Sequence, residues 1–442
     1  MYEKKLNREK RTVIIGLDGV PFRLIDKFTK NNIMPETKKL IEKGTFKQME
    51  STIPEISSVA WSSIITGKNP GEHGIFGYTD IPIGTYRLSF PNFNNLKAPP
   101  FWQKDSMGRS IIINVPSTFP VKPLNGVHIS GFVSLDLKRS VYPDSLIQKL
   151  TDIGYQIDVD SSKAHKSIDL FLEDLDRTLK SRISAYKYLW EKEKWQTFML
   201  VFTGTDRLSH FLWDAYENEN HKYHSAFTKH FCQIDEVIGE IVNNLYEDDL
   251  LILLSDHGFE LLEKEVNINY LLKKNGFLKL KPESRRSFAD METGTKAFAL
   301  EPARIYINLK DKYPRGSVKK DEYRGIIKDL TSIFEDLELK GRKIIKKTYR
   351  KEEIYKGPYM NQAPDLVLVP NKGFNLKASV KADQLFEKSI FAGKHTQHDA
   401  FLLINNLAEK NILPDEITVS DVCHLIETLQ TENMNLRRKI DA

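Results

Sequence analysis

The chain has little cysteine. Cys232 and Cys423 are the only 2 in 442 residues, and they lie far apart, which excludes both a disulfide framework and zinc-finger spacing. A reducing compartment is the natural setting. Long apolar runs are also missing; none approaches the roughly 18 residues that a membrane-spanning helix needs. The opening MYEKKLNREKR is charged and lacks the apolar segment of a secretory signal. These absences together predict a cytoplasmic protein with no membrane span. Charge of one sign is not in excess either: 65 basic residues face 60 acidic ones, for a net charge of +5. A dedicated nucleic-acid binder concentrates basic charge, so no nucleic-acid partner is expected. No internal repeat is visible. What the chain does have is 40% apolar residues, enough for a sizeable core. Its length suits one large α/β domain with insertions, or two or three ordinary domains.

The run TVIIGL at 12–17 ends in Asp18-Gly19 and reads as a buried strand followed by a turn. A helical pattern follows from about Pro21 to Lys43. A second helix starts near Ser57, in SSVAWSSIITG, and stops at Gly67. Further strands are expected at SIIINVP (110–116), FMLVFTG (198–204) and LLILLS (250–255). Helices at 181–194 and about 223–245 alternate with them. Several strands are apolar on both faces, which predicts an α/β fold with a mainly parallel sheet sandwiched by helices. The stretch 262–385 is more charged, with candidate strands at ARIYINL and DLVLVP. It reads partly as an insertion over the sheet's end and partly as returning edge strands. A closing helix is expected in ITVSDVCHLIETLQ, capped at Ser420.

Sheets of this kind carry their functional groups beyond the carboxyl ends of the strands. Asp18, Thr205-Asp206 and Asp256-His257 all fall there. Asp256 and His257 follow the apolar run Leu250–Leu254, and burying them costs free energy unless something pairs with them. A metal ion is one such partner; a strand-end turn with the Asp as a helix cap is the bland alternative. Asp206 and His210, in TDRLSHFLW, lie on one face of a helix one turn apart. They can share a metal or simply be surface residues. Asp18 is a turn former or a ligand. In GKHTQHDAFLLI, His395 and His398 are ligand candidates or part of a polar loop. Ser57 and Ser58 precede a helix start, where serine caps or serves as a nucleophile. Free N–H groups and the positive end of the helix dipole suit a phosphate there.

In chain order the sequence supplies an Asp, a Ser at a helix start, Asp-x-x-x-His, a strand followed by Asp-His, and a late Gly-x-His. This set resembles the alkaline phosphatase superfamily. It is most similar to the type I phosphodiesterase/nucleotide pyrophosphatase branch and its phosphohydrolase and phosphomutase relatives. AWSSIITGKNPGEHGIFGY matches that branch's nucleophile region, and the likeness is strongest over 12–80, 196–260 and 391–404. The resemblance implies one alkaline-phosphatase-like catalytic domain over 1–442, with 262–390 a cap insertion plus returning edge strands. It implies two divalent metal ions about 4 Å apart, usually zinc and sometimes manganese. One would be held by Asp206, His210 and His395, the other by Asp18, Asp256, His257 and the oxygen of the nucleophile Ser57, with Ser58 the fallback. His395 is preferred to His398 because it follows Gly393 by two residues. The implied reaction is in-line attack by Ser57 on a small-molecule phosphate ester, a phosphodiester or phosphomonoester, through a covalent phosphoserine.

The branch has an Asn after the His-Gly-Ile segment that helps hold a phosphate oxygen; here the region reads Gly77-Tyr78. Its nucleophile is typically Thr followed by Phe-Pro-Asn-His; here Ser57 is followed by Ser58-Val59-Ala60-Trp61. Both departures weaken a nucleotide substrate, and Arg207 or Lys394 are candidate phosphate contacts instead. A sulfatase is disfavoured because no C/S-x-P-x-R motif surrounds Ser57. A phosphomutase or phosphoryl transferase on the same fold, and a silent phosphate-ester-binding protein, are the alternatives. All the expected ligand positions are filled, which argues against the silent protein. Segments 80–135 and 262–390 are expected to set the substrate.

Overall fold

The computed structural model describes residues 10–281, 287–405 and 413–440, with side chains given up to 430. Most of the charged N-terminal stretch, the Arg285-Arg286 pair and the last two residues of the tail lie outside the described residues. Among those described, no helix is long and apolar enough to cross a membrane.

The first half of the chain alternates strand and helix. It runs β1 (Thr12–Leu17), α1 (Phe22–Lys30), α2 (Pro35–Lys43), β2 (Thr45–Met49) and α3 (Ser57–Thr66). Three strands follow, β3 (Ser110–Val115), β4 (Gly126–Ser130) and β5 (Val141–Tyr142). Then come α4 (Ile168–Lys192), β6 (Thr197–Phe202), α5 (Gly204–Glu217), α6 (His224–Asn243), β7 (Leu250–Leu254) and β8 (Gly258–Leu261). The second half adds β9 (Ala297–Leu300), β10 (Arg304–Ile307), β11 (Ile345–Arg350) and β12 (Leu366–Pro370). It closes with β13 (Gly393–Thr396), β14 (Ala400–Asn405) and α7 (Asp421–Ile440).

One sheet has 8 strands in the order β2-β14-β7-β1-β6-β3-β4-β5. β1 runs parallel to β6 and β7, and β3 runs parallel to β6 and β4. The returning strand β14 lies antiparallel between β7 and β2. Every residue of β1, β3, β6 and β7 is buried. The reason is that both faces of the sheet are covered. Val13, Ile15 and Leu17 join one core with α1, α4, α5 and α6. Ile14 points the other way, into a core built from Trp61 and Ile64 of α3 and Val422 and Ile426 of α7. A strand covered on both sides reads as a continuous apolar run, which is why β1, β6 and β7 stand out in the sequence.

Two helices differ from the sequence reading. The pattern over 21–43 is broken into α1 and α2 at Asn31–Met34. Asn32 takes φ +57°, and Met34 has φ −121° and ψ 72°, because the residue before a proline is pushed out of the helical region. The helix expected at 181–194 begins much earlier, at Ile168, where the Ser167 hydroxyl accepts the Asp169 N–H. α7 begins at Asp421, directly after Ser420, and the Asp421 carboxylate accepts the Thr418 N–H at 2.8 Å.

A second, four-stranded sheet has the order β9-β10-β12-β11 and its own apolar core, which includes Phe298, Ile305, Leu330 and Leu366. It is tied to the loops on either side of α3 at named points. The Tyr355 hydroxyl donates to the Ile53 carbonyl at 2.8 Å, and Arg304 donates to the Thr79 carbonyl at 2.9 Å.

Candidate active site

Each candidate side chain stands where an element ends or begins. Asp18 follows β1 and is buried. Gly19 completes the turn with φ +66°, a conformation only glycine adopts freely, and its N–H donates to Asp256 Oδ1 at 3.0 Å. That bond ties the end of β1 to the end of β7. Asp206 and His210 lie one turn apart on α5, as the D-x-x-x-H spacing predicts. His395 arrives on β13, which pairs antiparallel with β8 so that His395 faces Phe259. The small ribbon β8–β13 thus brings residue 395 beside residues 256–257. Ser57 is the first residue of α3, and no side chain caps that helix.

The structure brings seven predicted residues together. Asp206 Oδ1 is 3.1 Å from His395 Nε2 and 3.5 Å from His210 Nε2, and the two Nε2 atoms are 3.0 Å apart. His257 Nε2 is 3.3 Å from Asp256 Oδ2, 3.8 Å from Asp18 Oδ1 and 3.0 Å from Ser57 Oγ. The His257 and His395 rings stack at 3.7 Å, so the two groups adjoin. Asp206, His257 and His395 also offer donor atoms within 4.8 Å of one another, as do Asp18, Asp256 and His257. His210 and His395 are 21% and 19% exposed at the side chain, whereas Asp256 and His257 are fully buried. The cluster therefore opens to solvent on the His210–His395 side.

Two features fit this cluster to divalent cations. First, each imidazole has its Nδ1 against a backbone carbonyl: His210 on Gly393 at 3.3 Å, His257 on Gly258 at 3.1 Å and His395 on Glu55 at 3.0 Å. With a proton on each Nδ1, these bonds leave the three Nε2 atoms facing the carboxylates and Ser57 and free to ligate a cation, the arrangement metal-ligating histidines use. Second, Asp18 Oδ1 and Asp256 Oδ2 are buried with no hydrogen-bond partner. An unpaired buried carboxylate oxygen is costly, and a cation between these atoms supplies what the protein withholds.

The electrostatics agree. Burial pushes the Asp256 carboxyl up to about 6, with the Asp206 charge adding to it. Burial and the charges of Asp256 and Asp206 raise Asp18. Burial also opposes ionisation of Asp206, but His210, His395 and Arg207 together outweigh it and hold that carboxyl well below its usual range. Burial takes His210 down to about 4 and, with the His395 charge, takes His257 well below its ordinary value. His395 moves the other way: burial opposes its charged form, but its hydrogen bond to Asp206 raises it. Too many groups compete for too few protons, a pattern that marks functional clusters.

Other candidates fall elsewhere. His398 is exposed and pairs with Glu50 at 2.6 Å, outside the cluster. Ser58 is buried behind Ser57, with its hydroxyl unpaired. Lys394 forms a 3.0 Å ion pair with Glu260. Arg207 bridges Asp206 Oδ2 at 3.0 Å and Asp158 Oδ2 at 2.9 Å.

Three residues at the site escaped the sequence reading. Tyr78, seen there only as a missing Asn, packs its ring edge-on against Phe132, with centroids 5.6 Å apart. Phe132 lies under the Arg207 guanidinium at 4.1 Å, and Asp158 anchors that guanidinium. No local motif announces Phe132 or Asp158. Tyr78 had a signal, its place as the last residue of the stretch that matches the family, AWSSIITGKNPGEHGIFGY.

The family described as type I phosphodiesterase / nucleotide pyrophosphatase matches residues 12–397. Among solved structures, phosphonoacetate hydrolase from Sinorhizobium meliloti 1021, in complex with phosphonoformate, aligns with a TM-score of 0.66 at 15% identity, covering 96% of each chain. Murine ectonucleotide pyrophosphatase / phosphodiesterase 5, as an inactive form in complex with AMP, aligns with a TM-score of 0.58 at 13% identity, covering 96% of this chain and 95% of its own. These likenesses show the fold, which is alkaline-phosphatase-like, an α/β sheet between helices. No curated protein matches the sequence.

Proposed function

The chain belongs to the type I phosphodiesterase/nucleotide pyrophosphatase family of phosphoric ester hydrolases, and on that premise we propose that it cleaves a small-molecule phosphate ester with Ser57 as nucleophile and two divalent cations as cofactors. The observation that carries this reading is the Ser57 hydroxyl 3.0 Å from His257 Nε2, next to buried Asp18 and Asp256 oxygens that have no partner.

Asp206, His210 and His395 would hold one cation; Asp18, Asp256, His257 and the Ser57 oxygen would hold the other. The mixed nitrogen and oxygen donor set suits zinc, with manganese the alternative. When bound, the cations supply Lewis-acid stabilisation of charged oxygens and lower the pKa of a hydroxyl. The chain's own groups do the rest. Ser57 Oγ attacks phosphorus in line, forming the Oγ–P bond as the ester P–O bond breaks and the alcohol departs. Water then cleaves the Oγ–P bond from the opposite face, releasing phosphate or a phosphomonoester and restoring the serine. The opening N–H groups of α3, which no side chain caps, face developing negative charge at a helix N-terminus. We further propose that residues 262–390 act as a cap over the site and, with 80–135, select the substrate.

The test is turnover of bis-p-nitrophenyl phosphate and p-nitrophenyl phosphate by protein loaded with zinc or manganese, in water and with added alcohol. Ser57→Ala is expected to lower kcat at least about a thousandfold, as loss of a nucleophile does. Full activity of Ser57→Ala would refute its role, and turnover only with an alcohol acceptor would make the enzyme a transferase.

A further inference from the structure

Away from the ligand cluster, the loop after Tyr78 and the second sheet enclose a groove of about 720 Å³, a volume that suits a small molecule. The loop contributes Thr79, Tyr86 and Leu88 to its lining, and the second-sheet side contributes Leu300, Ala378 and Val380.

Both contributions are held in place. Asp80 and Ser89 exchange backbone hydrogen bonds at 2.9 and 2.8 Å, which fixes the two ends of the loop. Within it the Tyr86 hydroxyl donates to Asn308 Oδ1 at 2.8 Å, and the Arg315 guanidinium covers the Tyr86 ring at 4.7 Å. Arg304 holds the Thr79 carbonyl at 2.9 Å. On the other side, buried Asn269 accepts the Ala299 N–H at 2.8 Å and donates to the Ala299 and Ala378 carbonyls. One amide thus ties the end of β9 to the chain that carries Ala378 and Val380. A groove ordered before its occupant arrives spares the occupant the cost of ordering it.

The lining is apolar with a cationic edge. Tyr86, Leu300, Ala378 and Val380 are buried, while Leu88 beside them is 42% exposed. A large apolar side chain held in solvent next to an apolar groove marks a surface that a ligand covers. Arg87 and Lys381 also line the groove, and Glu301 is its one carboxylate among the described residues. Glu301 is engaged already, by Lys377 at 3.1 Å and by the Ala378 N–H at 3.4 Å. Arg87 is not. Its backbone N–H is fixed on the Thr85 hydroxyl at 2.7 Å, but its exposed guanidinium has no ion-pair or hydrogen-bond partner among the described residues. A cationic occupant would meet Arg87 as a like charge, and a fully polar one would leave the apolar lining uncovered.

We propose that this groove binds a free anionic amphiphile, a carboxylate on a single hydrocarbon chain. The chain lies against Leu88, Leu300 and Val380, and the carboxylate pairs with Arg87. Burial of the chain supplies the non-directional part of the affinity, and the guanidinium–carboxylate pair, which can be bidentate, supplies the orientation. The site uses neither Ser57 nor the cation ligands, so it stands or falls separately from the proposed function.

The test is calorimetric titration of the full chain with decanoate below its micelle-forming concentration. Saturable binding of one decanoate per chain is expected. Decyltrimethylammonium, the same chain with the opposite charge, should bind at least about tenfold more weakly, because it forfeits the charged hydrogen bonds to Arg87. Butanoate, with the carboxylate but little chain, should bind at least about a hundredfold more weakly, since each buried CH2 adds to affinity. Arg87→Gln should weaken decanoate about tenfold and leave decyltrimethylammonium no weaker. Leu88→Asp changes an exposed position and places an anion in the groove, so decanoate should again weaken at least about tenfold with the melting temperature unchanged. No saturable binding, equal affinity for the two charges, or unchanged decanoate affinity in both variants would overturn the proposal.

Discussion

Asp256 couples burial to the metal reading most directly. It is fully buried, one of its oxygens accepts the Gly19 N–H, and the other has no partner. Asp256→Asn keeps the shape but removes the charge that a cation needs. The variant is expected to lose most of its bound metal by elemental analysis and nearly all activity; normal metal content would count against the ligand assignment. The same residue sets a pH dependence. Its carboxyl is pushed up to about 6, so below that pH a cation must displace a proton to bind. Affinity measured by calorimetry should therefore fall at least about tenfold for each pH unit below 6, since binding is coupled to loss of one proton per protonated ligand, and Asp18 and His395, both raised, add to the fall. His210, lowered to about 4, is already neutral throughout this window and adds nothing until the pH falls well below 5. At this scale the sequence revealed whatever sits at a strand end or repeats at a helical spacing: Asp18, Asp206, His210, Asp256 and His257. Choosing His395 over His398 took the family's Gly-x-His. Asp158 and Phe132 were not legible, because their roles come from contacts with Arg207 across 49 residues of sequence for Asp158 and through ring stacking for Phe132.

The elements that carry these residues were legible to different degrees. β1, β6 and β7 announced themselves as apolar runs because both faces of the sheet are covered. The break between α1 and α2 falls at Asn31–Met34, where Asn32 takes φ +57° ahead of Pro35, and the polar-apolar pattern alone did not separate the two helices. The ribbon β8–β13 was invisible as a pair, since nothing in GKHT signals that it will meet GFEL. That ribbon fits tightly. A Cβ on Gly393 would come within 2.4 Å of the Ser209 carbonyl and 2.9 Å of Trp213 Cβ, and the Gly393 carbonyl faces His210 Nδ1. Gly393→Ala should therefore push β13 away from α5. Overpacking of this kind costs about 1–3 kcal/mol, readable as a lower urea midpoint. Because His395 and the His210 support move together, metal affinity should fall too. A variant of unchanged stability and metal affinity would show that the ribbon does not set the position of His395.

For the molecule as a whole, the large sheet builds the candidate metal cluster and the second sheet holds the loop that carries Tyr78 and Thr79. Arg304 is the joint: it is fully buried, and its guanidinium donates to Thr79 and the Glu301 carbonyl. Arg304→Met keeps much of the volume but releases residues 77–79. It is expected to lower the melting temperature and kcat while leaving metal content intact, since no ligand depends on it. Loss of metal in that variant would mean that the two sheets support the cluster jointly. The division of labour was only half legible. The mainly parallel sheet followed from strand–helix alternation. The way the charged stretch 262–390 reaches Thr79 did not, because a buried arginine in ARIYINL looks like any strand residue.

The most direct measurement is an anomalous-difference map from crystals grown with zinc or manganese and recorded at the metal's absorption edge. Two peaks per chain are predicted, one among Asp206, His210 and His395 and the other among Asp18, Asp256, His257 and the Ser57 oxygen. A map with no peak there, or with metal only at other side chains, would contradict the account.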